Sequence, residues 1–424
     1  MFSALNHFRQ RVHGQLAKIR RNLREFHCDK EYFVHHDLLA AIGGLHLMGD
    51  DGETPVWWSI YRCFTALMYV LMTWRAYQTV TTCHELVQLV YNMLVYTETV
   101  VVLVRLVLIG SNYTHLGKVR GYINARNFDR QGPCALETRK RSYFVVRNVS
   151  LVSLINLMMV AVPALVFDID ALQLPFQVSS HTLLNTVIQK IYIVLIFSAT
   201  VNAVNNFVTI FMVLKGLLTE AEVVANSFSR IFDQASVIPL TQEASSSNYD
   251  ESTFWDQLNQ QFAEHINQHC ILLGHIQTIR PLLEGTFLVI YYVTAFNMAC
   301  GCFFVMAQDK PFNIYTIQVV NLIILQTFEC FVYTYLTTKL KDVHSSIGQA
   351  VYCLSWPQDL KFSERFGPQY RAVRAKLTLI QERCNQDVRF STGGHFEFTQ
   401  ERFTELMNMT YTLVTFLWEM KKGG

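Results

Sequence analysis

FTQERFTELMNMTYTLVTFLWEMKKGG, residues 398–424, is the stretch whose reading decides the fold. Crossing a bilayer takes about 20 predominantly apolar residues in a helix, and the run from Phe403 to Met420 has nearly that length. Thr404, Asn408, Tyr411, Thr412 and Thr415 nevertheless interrupt its apolar surface. On a helical wheel Thr404, Asn408, Thr415 and Glu419 form one stripe, and Met407, Tyr411, Val414 and Trp418 form another about 80° away. A membrane helix with a polar face lies against other helices or against water, because lipid satisfies none of its hydrogen-bonding groups.

The rest of the chain agrees with a membrane setting. Of 424 residues, 51% are hydrophobic, 13% aromatic and only 16% charged, where a soluble domain carries roughly 25% charged residues. Mean hydropathy is positive, at +0.20. The net charge of +2 singles out no partner, and no basic block interleaved with aromatics suggests nucleic acid. Residues 1–25 are basic and mixed and lack the apolar core of a signal peptide. The ten cysteines are scattered without zinc-ligand spacing and read as free thiols.

Seven stretches are long and apolar enough to be spans: 57–79, 86–110, 143–167, 186–214, 282–306, 313–338 and 396–420. The expected class is an all-α, polytopic membrane protein with seven helices. Lysine and arginine fix its orientation. The N-terminal segment holds seven, the second loop seven, the fourth loop three and the sixth loop nine, while the opposite side shows Arg75, Lys310, Lys421 and Lys422. The N-terminus is therefore expected in the cytosol and the C-terminus outside, the reverse of a G-protein-coupled receptor. The chain divides into a cytosolic N-terminal segment (1–56), a four-span bundle (57–214), a cytosolic helical extension with a Ser-rich link (215–281), two further spans (282–338), a second cytosolic segment (339–395) and the last span (396–424).

The segment IGQAVYCLSWPQ (347–358) has a small residue before Tyr352 and Trp356 just before a proline. The segment FSTGGHFEFTQERFTELMNMTYTLVTFL (390–417) enters the last helix through a Gly/Phe turn and carries Thr410-Tyr411-Thr412. Both resemble the insect odorant receptors, with threonine where the family's usual triplet ends in serine. The topology matches over the whole chain, while the motifs are specific over about 345–417. The second inside loop lacks the long insertion of the family's shared co-receptor, so the chain is similar to a ligand-tuning subunit, of a mosquito.

The resemblance implies a subunit of a heterotetrameric, odorant-gated, non-selective cation channel, in the plasma membrane of olfactory sensory neuron dendrites. Co-receptor subunits would assemble with it through cytosolic anchor helices, and the last helix of each subunit would line a central pore. The gate would fall on Met407, Tyr411, Val414 and Trp418, where Trp418 departs from the family's aliphatic ring. A small volatile would enter a closed apolar pocket in the outer half of the bundle. Helix direction points to Tyr91, Leu94, Val95 and Tyr96 in span two, to Ser153, Leu157, Met158 and Met159 in span three, to Tyr192, Leu195, Phe197 and Ser198 in span four, and to Tyr315 and Gln318 in span six. Aromatic rings there would stack on a ligand ring and hydroxyls would serve one heteroatom, which favours an aromatic odorant. The same side chains are what any membrane bundle packs between its helices.

No catalytic residues, cofactor or metal site are expected. His265 and His269 lie one helical turn apart, but no third ligand adjoins them in sequence, so they are expected in solvent or at a subunit contact. Arg62, Arg105 and Arg147 are placed near inner span ends, where they would snorkel to headgroups. Glu98 and Glu329 lie deeper, where an acid is a candidate functional group. Two alternatives are a gustatory-type homomeric channel and a transporter, although no inverted internal repeat is visible.

Overall fold

The computed structural model describes residues 31–45, 56–82, 85–166, 172–176, 182–231, 247–308, 313–354, 362, 364–386 and 388–423. Residues 243–246 of the Ser-rich link EASSSNYD (243–250), most of the N-terminal basic segment and Trp356 lie outside them, while residues 247–250, expected in the link, are already helical. Helices follow in the order α1 Val34–Ile42, α2 Val56–Thr82, α3 Leu86–Ser111, α4 Tyr113–Ala125, α5 Pro133–Val166, α6 Thr182–Phe228, α7 Ser247–Ala307, α8 Ile314–Cys353, α9 Gly367–Cys384 and α10 Gln400–Gly423.

Among the described residues, five helices are long and apolar enough to cross a membrane: α3, α5, α6, α7 and α8. Helices α2 and α10 have the length, at 27 and 24 residues, but Arg62, Arg75 and the acids and hydroxyls of α10 keep them out of that group. Four of the crossing helices, α5, α6, α7 and α8, far outrun the bilayer, at 34, 47, 61 and 40 residues. At 61 residues α7 is about 90 Å long, some three times the roughly 30 Å hydrocarbon core. The predicted spans are thus segments of longer rods, and α5 starts at Pro133 rather than at 143. Helix α4 was not anticipated, because its composition is polar and its only buried residues are Leu116, Val119 and Ile123.

The overhanging ends of α6, α7 and α8 join α9 in a second layer. Its core packs Phe128, Phe228, Trp255, Leu258, Phe262, Ile347, Val351, Val373, Leu377 and Ile380. Buried polar contacts tie this layer to the bundle. Arg139 donates to both oxygens of Glu220 at 2.9 and 2.7 Å. Ser142 meets Tyr32 Oη at 3.0 Å and accepts from Thr219 at 2.7 Å. Arg120 donates to Asp37 at 2.6 Å, fixing α1 beneath the bundle.

The turn before α10 is a small hairpin. His395 N–H donates to Thr392 O at 3.1 Å, and Gly393 and Gly394 both have positive φ, at 57° and 85°. Such turns require φ > 0 at both central positions, which glycine adopts without strain. Phe398 N–H donates to Phe390 O at 2.7 Å. Phe398 then stacks on Phe287 at 4.2 Å between centroids, and its carbonyl accepts from Thr337 at 2.9 Å. The entry to α10 is thereby bolted to α7 and α8.

Candidate ligand cavity

A cavity of about 490 Å³ lies between α3, α5, α6 and α8. Its wall is mostly apolar, with Val101, Val102, Leu157, Ile193, Ile196, Phe197, Val204, Phe207, Leu322 and Leu325 contributing. Glu98, Arg105, Ser153, Asn156, Thr200, Gln326 and Glu329 supply polar groups. Most of these sit on one side of the space, along α3 and α8.

The polar groups are held by one another. Arg105 Nη1 donates to Glu329 Oε1 at 2.8 Å and to Oε2 at 3.0 Å. Glu98 Oε1 accepts from Gln326 at 2.9 Å and from Asn297. Asn156 and Asn321 exchange hydrogen bonds at 3.0 and 3.2 Å. These contacts correct one expectation: Arg105 is buried in an ion pair and does not snorkel to the headgroups. In the low-dielectric interior a carboxylate within reach is a better partner than a distant headgroup.

Ser153, Leu157, Met158 and Phe197 of the predicted pocket residues line this cavity. Tyr91, Leu94, Val95 and Tyr315 gather instead in an adjoining cluster with Phe304 and Val319. Tyr91 packs on Phe304 at 5.7 Å and edge-on to Tyr315 at 5.1 Å, and donates to Gln318 at 2.8 Å. Leu172, Ile193 and Leu322 belong to both the cluster and the cavity wall, so the cluster forms one end of the cavity. Tyr192 and Leu195 do not line the cavity and join a cluster with Met68 and Tyr69 that shares Val102 and Ile196 with the cavity wall. Tyr96 belongs to neither group, Met159 is 68% exposed, and the Ser198 side chain lies outside the described residues. Along α3 the cavity begins at Glu98, near the middle of the helix, which is deeper than the residues 86–97 chosen from the sequence.

The cavity is also not closed. Val152, Met158 and Val194 line it while remaining 63%, 47% and 57% exposed, so it opens sideways between α5 and α6. The reason lies in α5. Its buried residues Ala135, Arg139, Ser142, Tyr143, Val146 and Ser150 all precede residue 151, and residues 151–159 include none. Helix α5 is buried against its neighbours up to Ser150 and is half-buried or exposed over 151–159, where it lines the cavity. Glu98, Arg105, Gln326 and Glu329 are absent from the residues expected in the pocket, although a deep intramembrane acid is the signal that singles out Glu98 and Glu329.

In α10 the buried positions are Leu406 and Thr410. Met407, Val414 and Trp418 flank that face and are half-buried, while Thr404, Asn408 and Thr412 are exposed and Tyr411 is 72% exposed.

These features define a class: a multi-pass helical membrane protein with a small-molecule-sized cavity inside its bundle. The family model "7tm Odorant receptor" matches residues 85–411, and the chain belongs to that family, one of receptors and channels rather than enzymes. The fold is that of an insect olfactory receptor: it is similar to OR5 from Machilis hrabei in complex with eugenol, with a TM-score of 0.68 and 11% identity over 92% of this chain and 100% of that one. A second structure of Machilis hrabei OR5 gives a TM-score of 0.60 and 12% identity over 93% and 100%. No curated protein sequence matches the chain.

Proposed function

We propose that this chain is the odorant-binding subunit of a heteromeric, odorant-gated, non-selective cation channel, assembled with co-receptor subunits in the plasma membrane of olfactory sensory neuron dendrites. The observation that carries this is the cavity of about 490 Å³ among α3, α5, α6 and α8. Small-molecule sites occupy roughly 300–1,000 Å³ and pair apolar walls with a few convergent polar groups. The ligand is a small volatile whose apolar body rests on Phe197, Leu157 and Met158 and whose heteroatom faces Ser153 or the Glu98–Gln326 side. Machilis hrabei OR5, solved with eugenol, supports an aromatic ligand of comparable size.

Helix α10 is the pore-lining element in this reading. Thr404, Asn408 and Glu419 of its polar stripe are exposed in the single chain, as a helix facing water or a neighbouring subunit requires. The hairpin at 390–398 links it to α7 and α8, and α8 also carries Gln326 and Glu329 of the cavity wall. Ligand binding and α10 position therefore share one rigid rod.

Patch-clamp recording with and without a co-receptor tests this. Odorant-evoked cation current should need both chains, and Ser153→Trp, which fills the cavity, should abolish the response while leaving surface expression intact. A robust current from this chain alone favours the gustatory-type homomer. An unchanged dose–response in both Ser153→Trp and Phe197→Ala would remove the cavity from the mechanism.

A further inference from the structure

Away from the ligand cavity, α7, α8 and α9 converge on His269, His344 and Cys384. All three are buried, at 2%, 4% and 3% exposure, and their ligand atoms lie within 4.8 Å of one another. We propose that these residues form a zinc-type metal site that staples α7, α8 and α9 together.

The histidine geometry is already close to what an ion needs. His269 Nε2 lies 3.2 Å from His344 Nδ1. A tetrahedral zinc ion binds nitrogens at about 2.0–2.1 Å, which separates two of them by roughly 3.3 Å. The tautomer of His344 is set by its other nitrogen. Nε2 faces Gln386 O at 3.1 Å; a carbonyl only accepts, so Nε2 carries the hydrogen and Nδ1 turns its lone pair toward His269. A ligating histidine whose second nitrogen donates to a backbone carbonyl is the usual outer-shell arrangement of a metal site.

The thiol is placed by a glycine. Gly348 follows His344 by one turn of α8, and a Cβ there would sit 2.8 Å from Cys384 Cβ. Its missing side chain lets the end of α9 close on α8, bringing Cys384 to the histidines. On binding, Cys384 gives its proton to solvent and coordinates as thiolate, and His269 shifts its hydrogen to Nδ1. Two imidazoles and a thiolate suit Zn²⁺. A small polar cavity of about 100 Å³, lined by His344, Arg383 and Gln386 among others, provides the entry path and a solvent ligand for the fourth position. Arg383 opposes a cation there, and the thiolate charge offsets it. His265 takes no part: its Nδ1 faces Gln261 O at 2.7 Å and its ring packs on Phe128 and Phe228.

The test uses the full-length receptor purified in detergent. Cobalt should give the visible bands of a tetrahedral centre and a thiolate-to-metal band in the near ultraviolet, and zinc should abolish both. Zinc should remain at about one equivalent per chain after desalting and raise the melting temperature. Cys384→Ser and His344→Gln should each lose the near-ultraviolet band, while Cys270→Ser and His265→Gln keep it. Should the site variants fail to fold, alkylation of the wild-type protein decides the matter, because zinc should slow Cys384 labelling at least tenfold and leave exposed Cys270 unaffected. Absence of a stoichiometric cobalt spectrum, a band that survives Cys384→Ser, or zinc-independent labelling of Cys384 overturns the site.

Discussion

Arg105 on α3 and Glu329 on α8 form a buried, two-point ion pair on the wall of the cavity, with Nη1 2.8 and 3.0 Å from the two carboxylate oxygens. Removing one partner strands a charge in the bundle, which costs about 3–5 kcal/mol. Arg105→Ala should therefore sharply lower the melting temperature and the surface expression of the receptor. Replacing both partners with methionine should recover most of the loss, since a buried pair contributes little over a well-packed apolar one. Equal damage in the single and double variants, measured by thermal melts in detergent, would point to a role beyond packing.

Glu98 accepts hydrogen bonds from Asn297 and Gln326 and borders the cavity. Glu98→Gln keeps the shape but replaces an acceptor with an amide. A hydrogen bond contributes about 0.5–1.5 kcal/mol, and 1.4 kcal/mol is a tenfold change in affinity. Ligands with a hydroxyl or N–H donor should show an EC50 raised about two- to tenfold, while isosteric hydrocarbons change little. Dose–response curves for a matched ligand pair check this, and a parallel shift of both would place Glu98 outside ligand recognition.

Gly216 of α6 meets Ile123 of α4, where a Cβ would lie 2.7 Å from Ile123 Cδ1. Overpacking of this kind costs about 1–3 kcal/mol. Gly216→Ala should lower thermal stability, and Ile123→Val in the same chain should restore part of it by removing the Cδ1 methyl. If Ile123→Val only adds to the damage, the close approach of α4 to α6 is not what excludes a side chain.

Burial, reinforced by Arg147, lowers the His35 pKa from 6.5 to about 4. The unfolded state then binds more protons than the folded one between those values, and stability rises with pH through that window. The contribution is fully present above about pH 6.5 and is lost as pH falls toward 4. Thermal melts between pH 7.5 and 5 should show α1 loosening first, and His35→Gln should flatten the acid side of the profile.

Met407, Val414 and Trp418 flank the buried ridge of α10. If they form the constriction in the assembled channel, Val414→Ala should raise basal current or alter ion selectivity when the chain is expressed with its co-receptor. Currents unchanged across alanine variants at all three positions would shift the gate to the exposed stripe of Thr404, Asn408 and Thr412.

Much of the fold was legible because the bilayer imposes it. Helix length depends only on the order of residues, and the five helices long and apolar enough to cross, α3, α5, α6, α7 and α8, overlap five of the seven apolar runs. The Gly393-Gly394 turn was equally plain, since few residues besides glycine tolerate its dihedrals. The pocket was half legible. Ser153, Leu157, Met158 and Phe197 line the cavity, but Tyr91 and Tyr315 pack its end wall and Tyr192 faces α2, because a helix periodicity does not say which neighbour a face meets.

The sequence by itself determined that this chain lies in a membrane as long helices, because hydrophobic length and charge act locally along each rod. Tertiary structure alone decided that Arg105 finds Glu329 across 224 residues, that a cavity lies among α3, α5, α6 and α8, and that His269, His344 and Cys384 come together. Those are relations between faces of different helices, fixed by how the rods rotate and pack against one another, and no spacing within a single helix encodes them.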